Sequence, residues 1–517
     1  MNDCGYLAFD VNQLCALAAS VGERQSPVHA IEKMEGGNCR ALLMHKEDGT
    51  EIVAKIPFSI AGPSKYTTAS EVAVLRYLHT HTQVPVPKVL AWNDDASNPV
   101  GAEYIIMEKA PGVQLQKKWG DMSGQAKLDL VLHLLQLQGE MVKLEWPVSG
   151  NLYLRESMAD DDKWVALKQE MDPSSLFCIG PSCERAWYTH NKTQSLHSRF
   201  NRGPWPTWGS LGTAIVERET ILLEQSTVIP SSCTPRGSID EHVAALKMTK
   251  QVMELIDKCA FVTFVARPVL WHTDLHMGNI YVSEEDPSKI VSLIDWQSTT
   301  ILPMFLQAEH PKFLPISDFY KFGVGNRVEK PPNYDNLDGE KKEFFKDKFT
   351  ADLLAKFYEL KSPDYVPELW LAFSLPSFVS GLFTRCAEVS TQGVITLRDS
   401  LIKFVAQWGD MKFESPCPFT FTEDDLQRHE KQLDKYHEYY AFRKVVTEYL
   451  QTDDDGWIAP TRDFGDAQEA NELMLRDALK NSSKFGMTPE QIRKTWPFPP
   501  REGFDLDKLA VEPFGSD

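Results

Sequence analysis

One short segment constrains this sequence more than any other, because it sets polar side chains between apolar runs. Residues His272–Asn279 read HTDLHMGN, and Ile294–Trp296 read IDW. Apolar runs at Arg267–Trp271, Ile280–Val282 and Lys289–Ile294 predict three short strands around these two motifs. Each motif therefore lies at the end of a strand, and we expect the polar side chains of both motifs to lie close together at one opening of the fold.

Three of those side chains, Asp274, Asn279 and Asp295, are of the types that phosphoryl transfer requires. One carboxylate accepts the proton of an acceptor hydroxyl, while an amide oxygen and a second carboxylate hold Mg²⁺ against a triphosphate. Mg²⁺ prefers such hard oxygen ligands. The alternative is that these residues only cap turns and end a strand. The flanking strands and the IDW motif favour the chemical interpretation.

His272 opens the first motif and has two possible roles. It could take a catalytic part, as a ligand or a base. Because the set above already contains a base, the simpler interpretation is that His272 braces the loop. Both roles are kept as alternatives for this residue.

A lysine in an apolar strand predicts the nucleotide site. Residues Val53–Ile56 read VAKI, and an unpaired ammonium at Lys55 would be expensive to bury on such a strand. Glu71 lies near the start of the following predicted helix and could pair with Lys55 while the lysine bridges two phosphates of a nucleotide. The alternative is a surface lysine and an unrelated acid that stabilises the start of its own helix.

Two further segments are weaker candidates for nucleotide binding. Gly36 and Gly37 could let the backbone approach phosphates, although a plain hairpin turn explains them nearly as well. A predicted strand ends near Met107 and runs into a connector. In a two-lobed kinase, main-chain groups of Glu108 and Ala110 would contact adenine, with the Met107 side chain behind the base. A buried strand exit is the alternative.

The order of predicted elements indicates an α+β, protein-kinase-like fold with two lobes. A small antiparallel sheet with one helix would form the N-lobe, where Asp-Gly at residues 48–49 marks a hairpin turn. A large, mainly helical C-lobe would follow, with Pro367–Ala387 among its helices. The predicted domains are an N-terminal extension (1–27), a nucleotide-binding N-lobe (28–110), a C-lobe (111–420) with a packed insertion (150–236) and the catalytic segment (267–297), and a helical C-terminal extension (421–517).

Charge and composition limit the partners. The formal net charge of −19 argues against nucleic-acid binding, which needs a basic face. It favours a cationic acceptor, although solubility alone would explain an acidic surface. The most apolar run, Leu369–Phe383, is shorter than the ~20 residues that a membrane-spanning helix needs, so no integral membrane association is expected. The first basic residue is Arg24, unlike a signal or transit peptide, which favours a cytoplasmic location.

Together the motifs resemble the aminoglycoside phosphotransferase and choline kinase-like family of small-molecule kinases. The family pattern HGDLHxGN followed by IDW matches His272–Asn279 and Ile294–Trp296. A closer resemblance, to the fungal group named altered inheritance of mitochondria proteins, covers most of the chain. The matching segments are Ala54–Phe58, Thr68–Val72, Pro85–Val89, Tyr104–Glu108 and Arg202–Trp205.

The resemblance implies a specific role for each residue of the set. Asp274 would be the catalytic base, Asn279 and Asp295 would be magnesium ligands, and ATP would be held by Lys55 with Glu71. It also implies a mitochondrial location as the alternative to the cytoplasm.

The motifs depart from the family pattern at three positions outside the proposed ligands. Thr273 replaces a usual Gly, Met277 replaces a frequent Pro, and Gln297 replaces a common acid. These changes bear on the rate of catalysis and on metal occupancy.

The sequence therefore predicts an ATP- and Mg²⁺-dependent kinase that moves the γ-phosphate to a hydroxyl of a small molecule. The acceptor site is expected in the helical lobe, between the insertion and the helices after Pro303. One rival is a non-catalytic ATP-binding scaffold on the same fold. The other is a protein kinase, although neither the Asp-Phe-Gly nor the Ala-Pro-Glu motif follows Asp295.

Overall fold

The computed structural model describes most of the chain. The described residues are 8–22, 24–35, 39–188, 199–225, 235–259, 262–330, 334–413, 415–453, 456, 458 and 462–501. Contacts divide the chain into two compact units. The first contains Met1–Arg218, Lys250–Phe383 and Gly409–Glu414, and the second contains Glu219–Thr249, Thr384–Trp408 and Ser415–Asp517. Every site residue that was predicted and is described lies in the first unit.

A five-stranded antiparallel sheet forms the N-terminal part of the first unit, in the order β1-β2-β3-β5-β4. Its strands are β1 (Val28–Glu35), β2 (Cys39–Lys46), β3 (Glu51–Pro57), β4 (Val89–Asn93) and β5 (Tyr104–Glu108). The predicted turn between β2 and β3 is present, and Gly49 has a φ of +84° there, a conformation that costs glycine little.

Two helices accompany this sheet. Helix α1 (Val11–Ser20) begins at Asp10, whose carboxylate accepts hydrogen bonds from two backbone N–H groups of the first turn. Its buried Leu14 packs in one cluster with Met44 and Ile52 of the sheet. Helix α2 (Tyr66–His81) is buried along most of its length, and its last turn is exposed.

The rest of the first unit is mainly helical, with short strands. The helices are α3 (Gly124–Val142), α4 (Trp208–Glu224, shared with the second unit), α5 (Ile239–Ile256, likewise shared), α6 (Met304–Gln307), α7 (Gly339–Tyr365), α8 (Pro367–Ser374) and α9 (Ser377–Thr384, with Thr384 in the second unit). The strands are β6 (Val113–Gln114), β7 (Asn151–Leu154), β8 (Val165–Ala166), β9 (Phe177–Gly180), β10 (Pro268–Leu270), β11 (Ile280–Val282), β12 (Ile290–Leu293) and β13 (Ile301–Pro303). The predicted kinase-like α+β class is confirmed.

The helix predicted at Pro367–Ala387 is not continuous. It breaks between α8 and α9 at Leu375 and Pro376, because proline lacks the N–H that would continue the helix and its ring disfavours helical geometry before it. Within the described residues, no single helix has the length and hydropathy to cross a membrane. One helix pair, bent by 89° at this break, passes the same test together.

The insertion has contacts beyond the larger lobe on which we expected it to pack. Its strands form a sheet in the order β7-β9-β8. Tyr153 and Cys178 of this sheet pack with Ala69 of α2. The side-chain amide of Asn151 donates to the Ser70 hydroxyl at 3.1 Å and to the Thr299 carbonyl at 2.8 Å. The insertion thus joins α2 to the segment after the IDW motif.

The second unit is helical in its described part. Its remaining helices are α10 (Val389–Gln392), α11 (Ile395–Ala406), α12 (Glu423–Leu450), α13 (Phe464–Lys480) and α14 (Pro489–Thr495). Phe442, Leu475 and Ile492 belong to one buried cluster of α12, α13 and α14. Thr488 and Gln491 form a reciprocal capping box at the start of α14, as their spacing predicts.

Candidate active site

The β11–β12 hairpin carries both motifs at one end. Ile280 pairs with Leu293 in the antiparallel register. The N–H of Ile294 then donates to the Asn279 carbonyl at 3.0 Å, which extends the pairing by one position. Because β11 begins just after Asn279 and β12 ends just before Ile294, Asn279 and Asp295 occupy adjacent backbone positions.

The side chain of Asn279 organises the loop that contains Asp274. Its Nδ2 donates to the Asp274 carbonyl at 2.9 Å, and its side chain is buried. This bond fixes the amide plane, and Oδ1 accepts no hydrogen bond from the described residues. The Asp274 carboxylate lies at the surface of the loop, with 45% of its side chain exposed. Asp274 is therefore accessible to a substrate, while Asn279 is held in one orientation.

His272 is buried beneath this loop and uses both ring nitrogens. Its Nδ1 accepts from the N–H of Asp274 at 3.2 Å, so Nε2 carries the proton and donates to the Ile294 carbonyl at 2.9 Å. Burial lowers the pKa of His272, which favours the neutral ring. The ring also meets the Trp296 indole edge-on, with 4.6 Å between centroids. This geometry fits the bracing role, since neither nitrogen is free for proton transfer.

Lys55 connects the sheet, α2 and the IDW motif. Its Nζ lies 2.7 and 2.9 Å from the two carboxylate oxygens of Glu71 and 2.7 Å from Oδ1 of Asp295. Burial alone would lower the pKa of Lys55, but the two carboxylates outweigh it and raise the pKa. The same contact lowers the pKa of Asp295 against the effect of its own burial. The pairing predicted for Lys55 and Glu71 is present, and Asp295 is a partner that the sequence did not indicate.

The backbone at Asp295 is in the left-handed region, with a φ of +63°. Asp adopts this region more readily than most residues, although it is uncommon outside glycine. Ser298 has a similar φ of +60°. Such conformations concentrate where a chain must aim a side chain at a functional site. The turn after β12 points the Asp295 carboxylate toward Lys55.

The connector after β5 offers a more limited adenine contact than we expected. Met107 is buried, which fits a position behind a base. The N–H of Glu108, however, already donates to the Lys88 carbonyl at 3.0 Å. The N–H of Ala110 takes no partner among the described residues and remains available. Gly36 and Gly37 lie outside the described residues.

Lys312 is a site residue that the sequence did not indicate. Its Nζ lies 2.7 Å from Oδ1 of Asp274. It belongs to a segment between α6 and α7 that has no regular helix or strand in the described part beyond a short 3-10 turn. Neither periodicity nor a motif marks it, because only the path of the segment brings it to the loop.

The donor set suits a magnesium ion in its chemistry. Asn279 offers an amide oxygen free of hydrogen bonds within the described residues, and Asp295 keeps Oδ2 outside its contact with Lys55. Both are hard oxygen donors at one hairpin end, the kind that Mg²⁺ takes alongside phosphate oxygens. The side chain of Asp295 is 39% exposed, so solvent and a phosphate can reach it.

The site and fold define a kinase-like α+β protein, and sequence relatives agree with the resemblance described above. No protein-family model matches the chain. A subtelomeric hrmA-associated cluster protein of Aspergillus fumigatus is 26% identical over 90% of this chain and 96% of its own length. Altered inheritance of mitochondria protein 9, mitochondrial, of Saccharomyces cerevisiae is 22% identical over 82% of this chain and 72% of its own length. The resemblance to that fungal group is confirmed. The name of the Saccharomyces cerevisiae relative includes the mitochondrion, which is the alternative location that the resemblance implies.

Solved structures show a more distant likeness. A putative fructosamine-3-kinase from Thermobifida fusca has 13% identity and a TM-score of 0.38, over 76% of this chain and 99% of its own. A putative aminoglycoside phosphotransferase from Ralstonia eutropha has 14% identity and a TM-score of 0.35, over the same shares. Likeness at this level adds nothing to the assignment of the fold, which rests on the elements described above.

Proposed function

We propose that the protein is an ATP- and Mg²⁺-dependent phosphotransferase that moves the γ-phosphate of ATP to a hydroxyl of a small molecule. The observation that carries this proposal is the convergence of Lys55, Glu71 and Asp295, in which the side chains of Lys55 and Glu71 are buried and that of Asp295 is partly exposed. A lysine paired in this way is the arrangement that orients nucleotide phosphates in kinases. Asp274 and Asn279, on the adjoining loop, supply the remaining groups.

Each residue has a distinct part in the proposed transfer. The Asp274 carboxylate accepts the hydroxyl proton as the acceptor oxygen bonds to the γ-phosphorus. The bond from the γ-phosphorus to the β–γ bridging oxygen breaks, and ADP leaves with that electron pair. Lys55 binds nucleotide phosphates, and Asn279 and Asp295 would hold the magnesium. When bound, the metal supplies positive charge against the phosphate oxygens.

The contact between Lys55 and Asp295 has a consequence for nucleotide binding. Lys55 has three donors, and all three are directed to carboxylate oxygens in the structure. A nucleotide phosphate needs at least one of them. We expect Asp295 to exchange Lys55 for the metal when Mg-ATP binds, whereas Glu71 keeps its bond to the lysine.

The test is transfer of label from [γ-³²P]ATP into a fungal metabolite extract in the presence of Mg²⁺. Asp274→Asn should reduce transfer by roughly 10²–10⁴-fold, the usual contribution of a general base, while ATP binding is kept. The matched control is Asp286→Asn, in the β11–β12 turn, where the carboxylate accepts bonds from Ser288 and pairs with Lys289, away from the site. This control should keep full transfer.

Two results would contradict the proposal in different ways. Tight binding of Mg-ATP without transfer to any metabolite would indicate a non-catalytic nucleotide-binding protein. Strong labelling of proteins in a whole-cell fungal extract, lost in Asp274→Asn, would indicate a protein kinase.

A further inference from the structure

An ammonium group lies directly on the proposed catalytic base. Lys312 Nζ contacts Oδ1 of Asp274 at 2.7 Å, and the side chain of Lys312 is 59% exposed. This is its single polar contact among the described residues, so two of its three N–H donors have no protein partner there. The other carboxylate oxygen, Oδ2, lies 3.9 Å from Nε2 of His276. The base is therefore flanked by nitrogen donors.

The backbone around Lys312 is fixed by buried neighbours. Pro311, Phe313 and Leu314 are buried on either side of it. The Phe313 ring meets Trp119 edge-on, with 5.7 Å between ring centroids. Lys312 is thus an exposed side chain on an anchored stretch, and its reach to Asp274 follows from the path of the backbone.

A buried ion pair on α7 anchors the chain just after Lys312. Lys356 Nζ lies 2.7 Å from Oε2 of Glu359, and both side chains are at most 9% exposed. Lys356 also donates to the Lys321 carbonyl at 2.7 Å, and Glu359 accepts from the N–H of Gly323 at 2.9 Å and from the Tyr320 hydroxyl. We call residues 309–324 the anchored segment.

The position of Lys312 separates it from the nucleotide side of the site. Phosphate binding is assigned to Lys55, on the sheet, and to the magnesium that Asn279 and Asp295 would hold at the hairpin end. Lys312 instead bonds one carboxylate oxygen of Asp274, the group that would receive the hydroxyl proton. A hydroxyl that reaches this carboxylate must come within a few ångströms of the Lys312 ammonium, either by displacing it or by lying beside it.

We propose that the acceptor carries an anionic group, a carboxylate or a phosphate, close to its reacting hydroxyl, and that Lys312 binds this group. The proposal rests on the proposed phosphotransferase function. The two N–H donors of Lys312 without a protein partner in the described residues are directed to that anion, and an acceptor with an ammonium in the same place would meet a like charge. The net charge of −19 suggested a cationic acceptor, but charges within 4 Å of the base act more strongly than distant surface charges, which salt screens.

The experiment divides a nucleotide-depleted fungal metabolite extract by ion exchange into anionic, neutral and cationic fractions. Each fraction is incubated with the full chain, Mg²⁺ and [γ-³²P]ATP. We expect at least tenfold more labelled product from the anionic fraction than from the cationic one. Lys312→Gln should remove most of this difference by raising KM for the anionic acceptors, and Lys312→Glu should favour the cationic fraction.

Control variants separate this proposal from folding and from the proposed function. Lys321→Gln, in the same segment, removes a lysine whose side chain has no part in the site, and it should behave as the wild type. Lys312→Gln should keep the wild-type thermal midpoint, and it should reduce transfer to the anionic fraction by a larger factor than ATP hydrolysis by water. Asp274→Asn should lose transfer to every fraction.

The outcomes are distinguishable. Preferential labelling of cationic or neutral metabolites, lost in Asp274→Asn, would overturn the anionic acceptor and leave the phosphotransferase intact. An equal loss of water-dependent hydrolysis and acceptor transfer in Lys312→Gln would assign Lys312 to the transferred phosphate and overturn the proposal too. Absence of labelled product from every fraction would contradict the proposed phosphotransferase function, and the acceptor proposal would then be wrong as well.

Discussion

The charged side chains of the first unit differ in how strongly burial affects their pKa and their contribution to stability. Lys55 is buried, and two carboxylates stabilise its positive charge by raising its pKa. Lys312 and Asp274 are exposed, and an exposed ion pair contributes only about 0–1 kcal/mol to stability. The contact of Lys312 with Asp274 therefore adds little to stability, and we infer a functional role for it.

His310, near the start of the anchored segment, should make the stability of the protein depend on pH. Its ring stacks on Phe373 with 4.8 Å between centroids, and its Nε2 has no partner among the described residues. Burial, assisted by Lys356 and opposed by Glu359, lowers the pKa of His310 to about 4. Between this value and the unfolded value near 6.5 the unfolded state binds the extra proton, so stability falls as the pH is lowered through that window.

His310→Phe should remove this dependence, because it keeps a ring and deletes the titrating group. Between pH 7 and pH 5 the wild type should lose about 2 kcal/mol more free energy of unfolding than the variant, measured by urea unfolding at the two pH values. His437→Phe, an exposed histidine outside the segment, should follow the wild type. Equal losses in wild type and His310→Phe would show that His310 is not the cause.

Residue types that carry chemistry were predictable where a local pattern surrounds them. Asp274, Asn279 and Asp295 stand out because apolar strands flank them, and Lys55 stands out because an apolar strand contains it. Lys312 could not be predicted, since its partner is distant along the chain and no periodic pattern includes it. The contact between Lys55 and Asp295 was missed for the same reason.

At the scale of elements, helix α7 holds the anchored segment in place through hydrogen bonds of its side chains. Glu359 holds Lys356, Gly323 and Tyr320 in a buried network. Removal of one member of a buried ion pair leaves the other charge uncompensated, which typically costs about 3–5 kcal/mol. The network therefore links the stability of α7 to the position of Lys312.

Glu359→Gln should destabilise the protein by about 3–5 kcal/mol and increase amide hydrogen exchange in the anchored segment. Glu343→Gln is the matched control on the same helix, because its pair with Lys346 is more than 60% exposed on both sides. The control should change the free energy of unfolding by less than about 0.5 kcal/mol. Unchanged exchange of residues 309–324 in Glu359→Gln would contradict the anchoring role.

Element boundaries were predictable where side chains cap or break the backbone. The Asp-Gly turn between β2 and β3 and the capping box of α14 are local devices, and both are present. Helix α12 begins at Glu423, because Thr422 and Asp425 cap it reciprocally. The pattern did not indicate the break at Pro376, because apolar residues continue on both sides of the proline.

For the molecule as a whole, the described site residues lie in the first unit, while the second unit has a hydrophobic cluster of its own. A ligand that binds only the folded state stabilises it by about 2.7 kcal/mol at a hundred times its Kd. Mg-ATP should therefore raise the thermal midpoint of the wild type.

Leu475→Ala should destabilise the second unit by about 2–5 kcal/mol, the usual cost of removing a buried leucine side chain, and should leave the midpoint shift with Mg-ATP in place. Leu475 is 2% exposed on α13, whereas Leu473 on the same helix is 48% exposed. Leu473→Ala is thus the matched control and should have little effect on stability. Loss of the Mg-ATP shift in Leu475→Ala would show that nucleotide binding depends on the second unit.

The domain limits predicted from the sequence, from the N-lobe at 28–110 to the extension at 421–517, stay a proposal. The two units divide the chain elsewhere, because contact between distant segments defines them. Residues 219–249 thus fall with Thr384–Trp408 and the C-terminal helices, a grouping that no local composition marks.

The sequence by itself indicated the candidate site residues and determined the class of fold. It did so because hydrophobic periodicity, turn residues and strand-flanked polar motifs are local properties of the chain. The tertiary structure alone decided that Asp295 contacts Lys55, that His272 is committed to two backbone groups, and that Lys312 reaches Asp274. Each of these contacts joins separate loops, elements or segments, so packing, and not local preference, brings the atoms together. The positive charge beside Asp274, the proposed base, is therefore a property of the folded chain.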